Sequence, residues 1–168
     1  MSIKVEILNK EDFKWAWTII KEEWVSLKIL SHGTEFNVKK LPGLVAYMDG
    51  EKVGLLFYTF LNEVCEIITL NSLIENMGIG SALLHSLEIT AKKNNINMIS
   101  ATTTNNNIKA LRFYQKNGFT LNKLRKNILS DYRKVKPNIP LISENKIPIR
   151  DEIDLIKIIP CPNNAELD

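Results

Sequence analysis

Two stretches of this sequence carry residue types at spacings that suit chemistry. The first is Thr69-Leu70-Asn71-Ser72-Leu73-Ile74-Glu75-Asn76-Met77-Gly78-Ile79-Gly80-Ser81-Ala82-Leu83-Leu84. It reads as a strand, a short turn with two glycines and the start of a helix. Backbone N–H groups at a helix start have no intrahelical acceptor, and the positive end of the helix dipole lies among them. Such a terminus binds anions. Glycine at 78 and 80 removes side chains that would hold a phosphate away, so a pyrophosphate is the natural guest. The bland alternative is that both glycines only permit tight packing of helix on sheet. The second stretch is Asn105-Asn106-Asn107-Ile108-Lys109-Ala110-Leu111-Arg112-Phe113-Tyr114-Gln115-Lys116-Asn117-Gly118-Phe119. It reads as a helix on which Asn107, Ala110 and Tyr114, at i, i+3 and i+7, share a face. Here the alternative is an ordinary amphipathic helix with Phe113 and Tyr114 as core aromatics.

Two nucleotide-binding patterns do not fit the glycine turn. A P-loop ends in Gly-Lys-Ser/Thr, and no lysine follows these glycines. A Rossmann fingerprint needs a third small residue three positions after the second glycine. That position is Leu83, and the preceding strands read as an antiparallel meander rather than a βαβ unit. The stretch instead resembles the acyl-CoA loop of the GNAT superfamily of N-acetyltransferases, Gln/Arg-x-x-Gly-x-Gly/Ala followed by a helix with early leucines. Glu75 departs from it, standing where Gln or Arg is usual. The loop acts mainly through backbone N–H groups, so the departure is tolerable unless the carboxylate points inward. The second stretch is similar to the other GNAT hallmark, Asn-x-x-Ala-x-x-Phe-Tyr-x-Lys-x-Gly-Phe, at every named position. The two occur in the family's order with a strand, 98–103, between them. The resemblance spans about residues 1–126 and the final strand.

The resemblance implies an α/β (α+β) fold, a mixed, twisted, mostly antiparallel sheet flanked by helices. Its fourth and fifth strands, here about 64–71 and 98–103, splay apart. The pantetheine arm of acetyl-CoA enters that gap along the exposed backbone of the fourth strand. The implied cofactor-binding residues are Ile68, Leu70 and Ser72 on the strand, and Asn76, Met77, Gly78, Ile79, Gly80 and Ser81 in the turn and helix start. Asn107, Ala110, Phe113 and Tyr114 complete the set. Asn107 would bond the pantetheine amides, and Ala110 would let the arm pass. Acetyl-CoA is the co-substrate, and no metal is implied.

The implied reaction is direct attack of a primary amine in a ternary complex. An ammonium has no lone pair, and a lysine-type amine has a pKa of about 10.4, so a base or a depressed pKa is required. The Leu70 N–H is the implied oxyanion donor, and Tyr114 the general acid for the departing thiolate. Glu66 lies where some GNAT protein acetyltransferases carry a catalytic glutamate and is the candidate general base. Strand alternation allows it either face, and an exposed or ion-paired glutamate is its alternative. Histidine as a residue type titrates near neutral pH, which makes His32 the runner-up base, against the default that a lone loop histidine is a surface residue.

Acceptor sites in this family are built by the loop after the first helix and by the C-terminal strands, here about 26–43 and 119–152. A small-molecule amine is the leading expectation, and a protein lysine or N-terminus the second. A CoA-binding sensor without turnover is the alternative from another class. Lys123, Arg125, Lys126, Arg133, Lys134 and Lys136 read as a solvated face, or as contacts for an acidic acceptor or the CoA 3′-phosphate. Ile139-Pro140-Leu141-Ile142 and Ile147-Pro148-Ile149 are apolar for a loop. Packing onto the sheet is expected of them, with an acceptor pocket or a subunit interface, hence a homodimer, as alternatives.

The elements that must position these residues follow from periodicity. Ile3–Leu8 reads as a strand. Asn9 and Asp12 mark a helix start, and Phe13, Trp17, Ile20 and Trp24 give residues 10–25 one buried face. Residues 26–43 look irregular. Residues 44–48, 52–61 and 64–71 form a meander, turning at Asp49-Gly50 and Asn62-Glu63. A helix from Gly78, a strand at 98–103, a helix at 107–117 capped by Gly118, and strands at 119–126 and 153–159 complete the pattern. The 168 residues suit a single domain, 1–168, with a looped insertion at about 127–152 before the last strand. Cys65 and Cys161 lack metal-ligand spacing and read as reduced thiols of a cytoplasmic protein. Neither a signal peptide nor a bilayer-spanning run is evident. With 22 basic and 19 acidic residues the formal charge is +3, too small to argue for nucleic acid.

Overall fold

The computed structural model describes residues 2–160, so Cys161 lies outside the described residues. Nine strands and four α-helices follow in the order β1 (Ile3–Ile7), α1 (Phe13–Trp24), β2 (Lys28–Ser31), β3 (Thr34–Asn37), β4 (Gly43–Met48), β5 (Glu51–Leu61), β6 (Val64–Ser72), α2 (Ile79–Lys93), β7 (Met98–Thr104), α3 (Ile108–Lys116), β8 (Thr120–Arg125), α4 (Ile128–Val135) and β9 (Glu152–Ile158). Seven strands form one sheet in the order β1-β4-β5-β6-β7-β9-β8, and β2 and β3 form a separate hairpin. Every neighbouring pair of the large sheet is antiparallel except β6 and β7. The expected mixed, mostly antiparallel sheet is thus present. The meander turns where the residue types require it, with positive φ at Asp49 and Gly50 and again at Asn62 and Glu63.

The chain differs from the sequence reading in several places. Residues 26–43 are not irregular. They hold the β2–β3 hairpin, which turns on His32 (φ 50) and Gly33 (φ 75), and a 3₁₀ turn at Val38–Lys40. The strands expected as fourth and fifth are therefore β6 and β7. The segment 127–152 is not wholly looped, because α4 occupies its first part and buries Leu129 and Tyr132. Its apolar loop residues do not all pack inward, since Leu141 is 70% and Ile142 59% exposed. That loop is held by polar contacts instead. Arg133 donates to the carbonyls of Ile139 (3.1 Å), Pro140 (2.7 Å) and Ile149 (2.5 Å).

The first helix begins as a 3₁₀ turn at Lys10–Asp12, capped by Asn9, whose Oδ1 accepts from the N–H groups of Glu11 and Asp12. Asp12, expected beside Asn9 at the helix start, makes no side-chain cap bond there. It is buried, ion-paired to Lys52 at 2.5 Å, and accepts from the Tyr47 hydroxyl at 3.3 Å. The buried face of α1 is Ala16 and Ile20, while Trp24 is exposed.

Strand alternation divides the core between the two sheet faces. Leu44, Ala46, Leu56, Cys65, Ile67, Leu83, Leu87, Ile99 and Leu155 pack together beneath α2, joined by Tyr114 and Phe119. Val45, Leu55, Phe57 and Ile68 pack with Ala16 and Ile20 of α1 and with Ile29 of the hairpin. A β-bulge interrupts the alternation in β6. Phe57 opposes Thr69 while Tyr58 opposes Ile67, so Ile68 is the extra residue. Cys65 and Ile67 lie in the α2 cluster, and so does Leu70, which packs against it with the parity changed. The bulge bends β6, and its pairing with β7 ends with Cys65, Glu66 and Ile67. From Ile68 onward the two strands part.

Gly54 on β5 brings α2 close to the sheet. A Cβ there would lie 2.4 Å from Ile79 Cγ2 and 3.1 Å from Leu83 Cδ1. Gly54→Ala is expected to destabilise the fold by about 1–3 kcal/mol, the usual cost of overpacking a full core. Urea unfolding followed by circular dichroism measures this, and an unchanged midpoint would show that α2 yields freely.

Candidate active site

A cleft of about 780 Å³ opens between the parted end of β6 and the starts of α2 and α3. Of the residues expected at a cofactor site, Leu70, Ser72, Asn76, Gly78, Ile79, Gly80, Ser81, Ala110, Phe113 and Tyr114 line it. Ile68, Met77 and Asn107 do not. Ile68 is the bulge residue, buried in the cluster on the opposite face. Met77 is exposed. Asn107 is the N-cap of α3, its Oδ1 accepting from Ala110 N at 3.1 Å.

The two glycines serve different ends. Gly78 has φ +78, and a Cβ there would meet nothing within 4 Å. It makes the left-handed turn into α2 and leaves open space before the helix terminus. The first α2 hydrogen bond runs from Ala82 N to Gly78 O at 3.0 Å. The N–H groups that precede it in the first turn have no helix carbonyl to meet. At Gly80 a Cβ would lie 2.8 Å from the Phe113 ring, so packing of α3 on α2 accounts for that glycine. A left-handed turn beside open space and tight packing each account for one of the pair.

Several lining residues were not anticipated. Asn71 is buried with Oδ1 unpartnered, and Lys109, Arg112 and Lys116 bring three cations to the cleft from α3. Their i, i+3, i+7 spacing was the available signal. Glu75 pairs with Lys109 at 2.8 Å, and that bond holds its carboxyl below the usual range. Tyr114 is buried between Phe113 and Phe119, with ring centroids 5.3 and 5.2 Å away. Burial pushes its phenol far up, so the hydroxyl keeps its proton at neutral pH.

On the other sheet face, facing the hairpin, lies a second polar group of residues. Glu66 is 7% exposed, and its Oε1 is 3.1 Å from His32 Nδ1. His32 Nε2 is 2.6 Å from Thr102 Oγ1, and the Thr102 hydroxyl donates to Asp154 at 2.9 Å. Arg125 holds Asp154 with two bonds of 2.5 Å and lies 3.8 Å from Glu152. Glu152 Oε2 in turn accepts from His32 N at 3.3 Å. The expectation that a loop histidine is a surface residue is therefore overturned. The β2–β3 turn carries His32 inward to the Glu66 carboxylate.

Burial raises the Glu66 carboxyl above its usual range, and the nearby His32 and Arg125 offset only part of this. Burial likewise raises Glu152. For Asp154 burial acts upward too, but the Arg125 guanidinium and the Thr102 hydroxyl outweigh it and hold the carboxyl low. Cys65, beside Glu66 in sequence, is buried on the α2 side, and its thiol is pushed up to about 12, which makes it an inert core residue. The basic residues at 123–136 divide: Lys123, Lys126 and Lys134 are exposed, Lys134 pairing with Asp131 at 2.7 Å, whereas Arg125 is internal, Arg133 holds the loop and Lys136 donates to the Lys28 carbonyl.

Comparison with known proteins agrees with this architecture. The Acetyltransferase (GNAT) family matches residues 9–119. The chain is 45% identical over 138 residues to YxbD of Bacillus subtilis (strain 168), itself uncharacterized, covering 82% of this chain and 87% of that protein. It is 43% identical over 125 residues to YdhI of the same organism, covering 74% and 78%. Among solved structures it superposes on an IAA acetyltransferase from Bacillus cereus ATCC 14579 with a TM-score of 0.72 at 23% identity, covering 94% of this chain and 100% of that one. A Bacillus subtilis acetyltransferase in complex with CoA gives 0.69 at 19%, covering 95% and 100%. The Escherichia coli ribosomal-protein-S18-alanine N-acetyltransferase gives 0.67 at 14%, covering 99% and 100%. At these identities the structures speak to the fold, and the family match speaks to descent. Together with the glycine turn, the split between β6 and β7 and the Asn-to-Phe helix motif, they mean that this chain belongs to the Acetyltransferase (GNAT) family.

Proposed function

We propose that this chain transfers an acetyl group from acetyl-CoA to the primary amine of a small molecule. The observation that carries the reading is the opening of the sheet between β6 and β7. It lies between a cleft suited to an elongated anionic co-substrate and a buried carboxylate suited to an amine. The residues fit acetyl-CoA. The space before Gly78 and the bare N–H groups of α2 suit a pyrophosphate. Arg112 and Lys116 add positive charge, and the β6 edge beyond Ile67 has no strand partner on the β7 side.

When bound, acetyl-CoA supplies an acyl group activated as a thioester. The chain's own groups do the rest. The β6 backbone orients the arm, and the Leu70 N–H is the oxyanion donor. Tyr114 holds a proton on its hydroxyl and presents it as the acid for the leaving sulfur. Glu66 takes the proton from the acceptor amine. A small acceptor is favoured because the Glu66 side is roofed rather than open. The hairpin is tied down by Gly33 N donating to Tyr132 Oη at 2.8 Å, by His32 N to Glu152, and by Lys136 to the Lys28 carbonyl.

A thiol-release assay with acetyl-CoA over amines, polyamines, amino acids and peptides, run beside calorimetric titration of CoA, tests the reading. Turnover is expected with a small amine. Turnover with peptides alone would move the acceptor to protein, and CoA binding without turnover on any acceptor would favour a sensor. Tyr114→Phe is expected to lower kcat by about 10²–10⁴-fold, the usual worth of a positioned acid, with CoA affinity unchanged by calorimetry. Unchanged turnover would remove Tyr114 from that role. Because burial raises the Glu66 carboxyl, kcat/KM should fall as pH drops through a value above the ordinary carboxylate range. Glu66→Gln should abolish that acid limb and most of the activity. A pH profile identical to wild type would exclude Glu66 as the base.

A further inference from the structure

Three contacts run in line across the acceptor side, Glu66 Oε1 to His32 Nδ1, His32 Nε2 to Thr102 Oγ1, and Thr102 Oγ1 to Asp154 Oδ1. Each requires one proton between its two atoms. The Thr102 hydroxyl brings one and a neutral imidazole brings a second, so the line lacks a third. Asp154 does not supply it. Both its oxygens accept from Arg125, and these bonds favour the ionised carboxylate. Thr102 therefore donates to Asp154 and turns a lone pair towards the imidazole, so Nε2 must carry a hydrogen. Nδ1 then faces Glu66 Oε1, and one additional proton must lie between them. Without it, one tautomer sets the Nδ1 lone pair against Glu66. The other sets the Thr102 oxygen against ionised Asp154 at 2.9 Å.

We propose that His32 is a positioning residue for Glu66, holding one proton jointly with it across the Nδ1–Oε1 contact because Thr102, fixed by Asp154 and Arg125, requires a hydrogen on Nε2. The proposal deepens the reading of Glu66 as base and rests on it. The arrangement commits Oε1 to the imidazole and leaves Oε2 for the acceptor. Glu66 Oε2 is buried with no hydrogen bond of normal geometry, and the Ser100 hydroxyl, opposite Glu66 in the β6–β7 register and likewise uncommitted, is the neighbouring donor that favours its ionised form. As an acceptor N–H bond breaks, an O–H bond forms at Oε2 and the shared proton passes wholly to Nδ1. The pair then returns one proton to water from the imidazole, whose side chain is 23% exposed. The other groups facing the pair come from three elements. Glu152 and Asp154 of β9 favour the additional proton, Arg125 of β8 opposes it, and Tyr132 of α4 is neutral with its hydroxyl at the hairpin turn.

Nitrogen-15 NMR of the histidine rings in the free protein at pH 7 tests the proposal. The chain has two histidines, and His85, exposed on α2, is the internal reference, its signals identified by His85→Gln. The expected result is a hydrogen on His32 Nε2, with Nδ1 either protonated or strongly hydrogen-bonded. Thr102→Val keeps the side-chain shape and removes the hydroxyl. It should release the ring to the opposite tautomer, with loss of the Nε2 hydrogen and an N–H from Nδ1 to Glu66. Thr102→Ser should restore the wild-type pattern. A wild-type His32 with a hydrogen on Nδ1 alone would overturn the proposal, as would a folded Thr102→Val protein with an unaltered spectrum. If Thr102→Val does not fold, the wild-type tautomer decides by itself. The measurement needs neither co-substrate nor acceptor, so an active Glu66→Gln enzyme would remove the base and leave the tautomer result standing.

Discussion

The site depends on one extra residue in one strand. A regular β6 would pair with β7 along its whole length, and the sheet would be continuous. Ile68 breaks the register with β5, turns the parity of the strand and confines the parallel pairing to three residues. A parted sheet exposes backbone polar groups that a buried strand cannot leave unsatisfied without cost. Structure elsewhere compensates. The α2 cluster anchors Cys65 and Ile67 on one side of the bulge and Leu70 on the other, and the opposite cluster takes Ile68 itself. The bulge is thus held from both faces.

The same parity change separates the two halves of the site. Before the bulge, Glu66 lies on the face of the hairpin, away from Cys65 and Ile67. After it, Leu70 returns to the α2 face and reaches the cleft beside Gly80 and Tyr114. A cationic wall from α3 and a bare helix terminus stand on one side, and three buried carboxylates with one guanidinium on the other. The opening between β6 and β7 is where the halves meet. Buried carboxylates persist there because each has a partner or a shared proton.

Much of this was readable from residue types. The meander turns, the helix from Gly78, the Gly118 cap and the order of the two motifs depend on local backbone preferences, and local preferences are written in consecutive residues. The His32-Gly33 turn was missed although its residues allow positive φ, because the flanking strands are only four residues long and one of them, β3, has no buried residue. The α4 helix was hidden by the prolines that follow it. Asn107 was assigned to the cleft from its place in a motif, and that its Oδ1 also caps α3 was not anticipated.

Residue type and spacing alone determined the family pattern, the glycine turn and the phenol on α3, since each depends on neighbours within a few positions. Only the tertiary structure decided which face Glu66 takes, that His32 meets it, and that Arg125 is an internal ion-pair partner rather than a surface cation. Those contacts join residues 34, 70 and 29 positions apart. Their existence depends on strand register and on a bulge, and a shift of one residue would carry each side chain to the opposite face.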